Sequence, residues 1–141
     1  MYTIIKIARI NVGEKMNNQR KNKHEIIALD AFKIYIDSEK NELSARSAWH
    51  KALDGKKSKG CARLAFLGLL GYSNGVNAAY AIKVFKLLIA DPNYSRGLPL
   101  WREATKNFDN PEVSHNGQMD VAFALFHNSK AKEYICNKRS I

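Results

Sequence analysis

The sequence predicts an all-α fold: two tandem three-helix repeats packed with pseudo-twofold symmetry, behind a mobile basic N-terminal tail. Three observations carry that expectation. The chain matches itself in order, as a duplicated supersecondary unit of about 50 residues does. Ala28-Leu29-Asp30-Ala31-Phe32-Lys33 with Ile36 returns as Ala81-Ile82-Lys83-Val84-Phe85-Lys86 with Ile89, at an offset of 53. Trp49 and Ala52 return as Trp101 and Ala104 at an offset of 52, and Gly60, Ala65 and Phe66 return as Gly117, Ala122 and Phe123 at an offset of 57. The matched segments also carry apolar residues at helical spacing. Finally, a unit of roughly 50 residues buries too little surface to stand alone, so the copies are expected to share one core.

Taken in order, Tyr2 to Ile10 reads as either a short strand or a loose helix, and residues 11–23 show no period, so 1–23 is a basic extension. Repeat one (24–75) opens with Ala28, Phe32, Tyr35 and Ile36 at i, i+4, i+7 and i+8, the stripe of an amphipathic helix. Its second helix carries Ala45, Ala48, Trp49, Ala52 and Leu53, with Ser44 as the cap, and its third carries Leu64, Ala65 and Leu69. Gly71-Tyr72-Ser73-Asn74-Gly75 links the halves; with Gly68, these glycines match no phosphate loop and read as turn chemistry. Repeat two (76–129) repeats the pattern with Ala81, Phe85, Leu88 and Ile89. Leu100, Trp101 and Ala104 follow behind Pro99, a residue suited to a first helical turn, and then Val121, Ala122, Leu125 and Phe126. Residues 130–141 read as a basic tail. The two tryptophans are expected in the core, with exposed base-stacking platforms as the alternative.

Composition narrows the classes. With 141 residues, 45% hydrophobic and 26% charged, the chain is neither collagen-like nor low-complexity nor wholly disordered. Cys61 and Cys136 form no zinc or disulfide spacing, which points to a reducing, cytoplasmic setting. No stretch approaches the roughly 20 apolar residues that span a bilayer, and Lys6 and Arg9 interrupt what could have been a signal core, so no membrane partner is expected.

The net charge of +10 suggests an anionic partner, either nucleic acid or an acidic protein surface. Most of the excess lies at the ends, in Lys6, Arg9, Lys15, Arg20, Lys21 and Lys23 and in Lys130, Lys132, Lys138 and Arg139. The body from Glu25 to Ser129 is nearly neutral, and its excess gathers at Lys56-Lys57-Ser58-Lys59.

A twofold relation would make the loops before the two third helices equivalent, Gly55 to Gly60 and Asp109 to Gly117, and binding groups are expected there. The candidates are Lys56, Lys57, Lys59 and Arg63 on one side and Ser114, His115, Asn116 and Gln118 on the other. His115 with Asp120 is the candidate catalytic pair, since an imidazole needs a second group to orient it. The same residues have a structural reading, with Ser114 or Asn116 as a cap and Asp120 set against the helix dipole. No nucleophile is evident beside them. His24, His50 and His127 form no ligand spacing, so neither metal nor cofactor is expected. Cys61 reads as a small core residue, or as a thiol whose pKa the preceding lysines lower.

Lys59-Gly60-Cys61, Ala65-Phe66-Leu67-Gly68-Leu69, Asn77 with Tyr80-Ala81 and Lys83, and Ser114-His115-Asn116 with Gln118-Met119-Asp120 together resemble a family of small bacterial proteins of unknown function, over roughly residues 25–129. The resemblance implies a bacterial or phage source and a self-contained domain, and no activity. This chain departs from the pattern in a shorter connection around Gly71 to Gly75.

The leading functional expectation is a small non-enzymatic protein that binds nucleic acid or a nucleic-acid-bound complex. A protein-interaction role, such as blocking a host defence complex, is the second, and a small enzyme using His115 and Asp120 the third. A base-reading helix is disfavoured, because the third helix of repeat one carries only Arg63 among apolar neighbours.

Overall fold

The computed structural model describes residues 21–108 and 117–141. The expected N-terminal tail up to Arg20, and Ser114, His115 and Asn116, lie outside the described residues. Every element among the described residues is an α-helix: α1 (Lys23–Ile36), α2 (Glu42–Leu53), α3 (Gly60–Leu69), α4 (Val76–Ala90), α5 (Leu98–Thr105), α6 (Gln118–Phe126) and α7 (Ser129–Arg139). None is long and apolar enough to cross a membrane.

Local chemistry accounts for most helix starts. Asn22 caps α1 in a reciprocal box: its side chain accepts the Glu25 N–H at 3.0 Å, and the Glu25 carboxylate accepts the Asn22 N–H at 3.0 Å. The cap of α2 corrects the sequence reading by one turn. Asn41, not Ser44, is the N-cap, accepting the Ser44 N–H at 2.8 Å, while the Ser44 hydroxyl accepts the Asn41 N–H at 2.9 Å. Ser44 was singled out as the nearest hydroxyl before the apolar stripe, but Glu42 and Leu43 already belong to the helix. Pro99 lies in the first turn of α5, as its fixed φ favours.

The expected stripes face inward except at Ile89, which lies at the end of α4 and is exposed. Ala28, Phe32 and Tyr35 of α1, Ala45, Ala48 and Trp49 of α2, and Ala81, Phe85 and Leu88 of α4 are all buried. Helices α1, α3, α4 and α7 pack around α6, whose nine residues are buried without exception. Phe126 of α6 meets Phe85 edge-on with ring centroids 5.7 Å apart. Fully burying such a side chain contributes about 1.5–3 kcal/mol, which makes this short helix the keystone of the core.

Both tryptophans are buried, Trp49 at 1% and Trp101 at 3% exposure, so neither serves as a stacking platform. Trp49 packs on Phe66 of α3 and Trp101 on Tyr80 of α4, each with ring centroids 5.2 Å apart.

Gly68 is a helix contact rather than a turn. A Cβ there would sit 2.2 Å from the Ala78 Cβ and 2.7 Å from its Cα, so α3 and α4 approach as closely as they do only because that side chain is absent.

The segment from Lys130 onward, read as a basic tail, is mostly helix α7. Asn128 caps it, accepting the Ala131 N–H at 3.0 Å, and Ala131 and Ile135 at i, i+4 form a narrow buried stripe. Its cations also have structural contacts. Arg139 donates to the Gly68 and Leu69 carbonyls at 2.6 and 3.3 Å, closing the end of α3, and the Lys138 ammonium lies 3.9 Å from the Tyr72 ring centroid. The Tyr35 hydroxyl joins α7 to the body, hydrogen-bonded to those of Tyr134 at 2.6 Å and Tyr72 at 2.8 Å.

Candidate functional site

Four helices begin beside one another. Asn22 at the start of α1 donates to the Asp120 carboxylate of α6 at 2.6 Å, and Gln118 of α6 donates to the Asn77 side chain of α4 at 2.8 Å. Gly117 brings the start of α6 onto the start of α3. A Cβ there would meet Cys61 Sγ at 2.6 Å and the Ala62 nitrogen at 2.8 Å. The loops before α3 and α6, expected to hold any site, thus end against each other.

Two acids are buried at this junction. Glu25 and Asp120, both 3% exposed, sit in the first turns of α1 and α6, where helix dipoles favour negative charge. Arg96, from the loop before α5, pairs with Glu25 and places its Nε 3.8 Å from Asp120. Burial nevertheless dominates at Asp120, pushing its pKa up to about 6 against the opposing Asn22 hydrogen bond and the Arg96 and Lys59 charges. Burial lowers the pKa of His24 on α1, with Lys23 and Lys59 adding to the shift. His24 Nε2 and Gln118 Oε1 are buried without hydrogen-bond partners among the described residues.

On the other side of the loop before α3 lies an open cleft of about 400 Å³ between α2 and α3. Arg46, His50, Ser58, Gly60 and Arg63 line it with Trp49 and Leu53, and among the described residues no carboxylate does. The Trp49 indole donates to the Ser58 hydroxyl at 3.3 Å, fixing the loop onto α2. Arg46 is already held by Glu42 through two contacts of 2.9 and 3.1 Å. Lys59, the N-cap of α3, makes no side-chain cap. A second cleft of about 330 Å³ between α4 and α5 carries Lys83, Lys86 and Lys106, but Glu103 also lines it and pairs with Lys106 at 2.6 Å.

The structure therefore divides the sequence candidates. Lys56, Lys57, Lys59 and Arg63 are exposed on the loop and first turn of α3, Arg63 lining the cleft, while Gln118 and Asp120 are buried in the junction. Sequence reasoning missed Asn22, Glu25 and Arg96 in the junction and Arg46, His50 and Ser58 in the cleft. The spacing Asn22-x-x-Glu25 was a readable capping signal; Arg96, 71 positions from its partner, had none. Cys61 and Cys136 are free and half-buried, and no group of three or more His, Cys, Asp or Glu among the described residues could hold a metal.

The model of a family of unknown function matches residues 21–132, a span holding both the junction and the cleft. The chain belongs to DUF6979. The DUF6979 match begins just before the Asn22 cap and ends in the first turn of α7. No curated protein and no solved structure gives a significant match to the chain.

Proposed function

We propose that this chain is a small binding protein that associates with nucleic acid, or with a nucleic-acid-bound complex, through the basic surface between α2 and α3. One observation carries the reading. Arg63 lines a cleft that has no acid among its described lining residues, Lys56 and Lys57 are exposed on the adjoining loop, and none of the three has an ion-pair partner among the described residues. Unneutralised cations at and beside a concave surface of a nearly neutral body favour phosphate binding and counterion release. Since the tryptophans are buried, the contacts fall on phosphates rather than bases, and binding is sequence-neutral.

The test is fluorescence anisotropy with a labelled single strand at rising salt. The expected result is an affinity that falls linearly on a log–log plot, with a slope reduced by roughly one or more in Lys57→Glu/Arg63→Glu. An affinity indifferent to salt, or unchanged in the variant, defeats the proposal. A basic surface also suits an acidic protein partner, and that reading takes over if no nucleic acid binds.

Catalysis by His115 with Asp120 has one observation in its favour, an acid five positions after His115 with a pKa raised to about 6. It requires His115→Ala to abolish turnover while leaving thermal stability unchanged.

The described helices, three before Gly75 and three between Gly75 and Asn128, fit descent from a duplicated unit, although the two tryptophans now pack on different partners. The free cysteines favour a reducing, cytoplasmic setting.

A further inference from the structure

We infer that the cleft between α2 and α3 takes a terminal phosphate monoester, the phosphorylated end of a single nucleic-acid strand; this narrows the nucleic-acid reading above and rests on it. Shape is the first reason. At about 400 Å³ the cleft is the size of a small-ligand pocket, and a convex duplex would touch only its rim. One nucleotide at a strand end can enter.

Charge is the second. An internal phosphodiester carries one negative charge, whereas a monoester carries about −1.5 to −2 near neutral pH and presents three acceptor oxygens. The cleft offers donors in that number: the Arg63 guanidinium, the Ser58 hydroxyl and the His50 ring line it. They come from α2, the loop and α3, so they surround a terminal group instead of tracking a backbone. Arg46 also lines the cleft, but Glu42 offsets its charge.

The interior of the cleft limits what else is read. Trp49 is 1% exposed and its indole nitrogen is engaged by Ser58, so no aromatic face is available to stack a base. The phosphate is recognised and the base attached to it is not. Lys56 and Lys57, exposed on the adjoining loop, would meet the next phosphates of the same strand as point charges.

The experiment compares two otherwise identical single strands, dye-labelled at the 3′ end, one with a 5′ phosphate and one with a 5′ hydroxyl, at fixed salt. The phosphorylated strand is expected to bind roughly ten-fold tighter or more. Arg63→Gln should erase that preference and Arg63→Lys retain part of it, while Lys86→Gln in the other cleft leaves it intact. Arg63 and Lys86 are exposed, and circular dichroism confirms that each variant is folded.

Equal binding of the two strands with ordinary salt dependence overturns this inference and leaves the nucleic-acid reading standing. Binding of neither overturns both. If adenosine monophosphate competes as well as the phosphorylated strand itself, the ligand is a free nucleotide and the strand-end assignment fails.

Discussion

Asp120→Asn tests whether burial or pairing governs the junction. Asp120 is 3% exposed, and its pKa is raised from the ordinary 3.8 to about 6 chiefly because burial disfavours the carboxylate. The folded state therefore holds this proton more tightly than the unfolded chain. Its stability relative to acid conditions must then fall as pH rises between those two values, about 2 pH units or at most about 3 kcal/mol. Asparagine keeps the shape and an oxygen for Asn22 to donate to, but does not titrate. The stability of Asp120→Asn minus that of the natural chain should consequently grow in the variant's favour from about pH 4 to about pH 7, by up to about 3 kcal/mol. Urea unfolding followed by circular dichroism across that range measures it, and subtracting the two proteins cancels the other carboxylates. A difference that stays flat, or slopes the opposite way, means that Arg96 and Asn22 outweigh burial, and the reasoning fails.

Arg96→Met leaves Glu25 buried without its cation and is expected to cost about 3–5 kcal/mol in urea unfolding; Glu25→Gln in the same chain should recover much of the loss. Gly68→Ala drives a methyl group into the Ala78 backbone and should lower stability by about 1–3 kcal/mol or more, read as a drop in Tm. Tyr35→Phe removes the hydroxyl shared by Tyr72 and Tyr134 and should destabilise by about 1 kcal/mol in the same melt, with helix content unchanged.

The helical stripes were legible because their information is local. Ala28, Phe32 and Tyr35 announce a buried face by spacing alone, and Pro99 announces a helix start by its fixed φ. Helix α7 was hidden by its composition. Only Ala131 and Ile135 mark its buried side, and its cations read as solvated until Gly68, Leu69 and the Tyr72 ring are seen beside them. Gly68 was misread for a related reason, since a glycine near a turn and a glycine at a helix crossing look the same in one dimension. The junction was half legible. Gln118 and Asp120 stood out as polar residues at a helix start, but the Asn22 contact spans 98 positions, a pairing that no periodicity encodes. The cleft was likewise visible only as its lysines; Arg46, His50 and Ser58 join Arg63 because Trp49 ties the loop to α2.

The central place of α6 has a consequence for biosynthesis. While the nascent chain leaves the ribosome, α1, α3 and α4 emerge before the helix that packs against all three, so Phe32, Phe66 and Phe85 have no finished interior to enter. Completion waits on residues 118–126, and any pause in translation before them lengthens the interval in which chaperones, or other copies of the chain, can capture the exposed side chains.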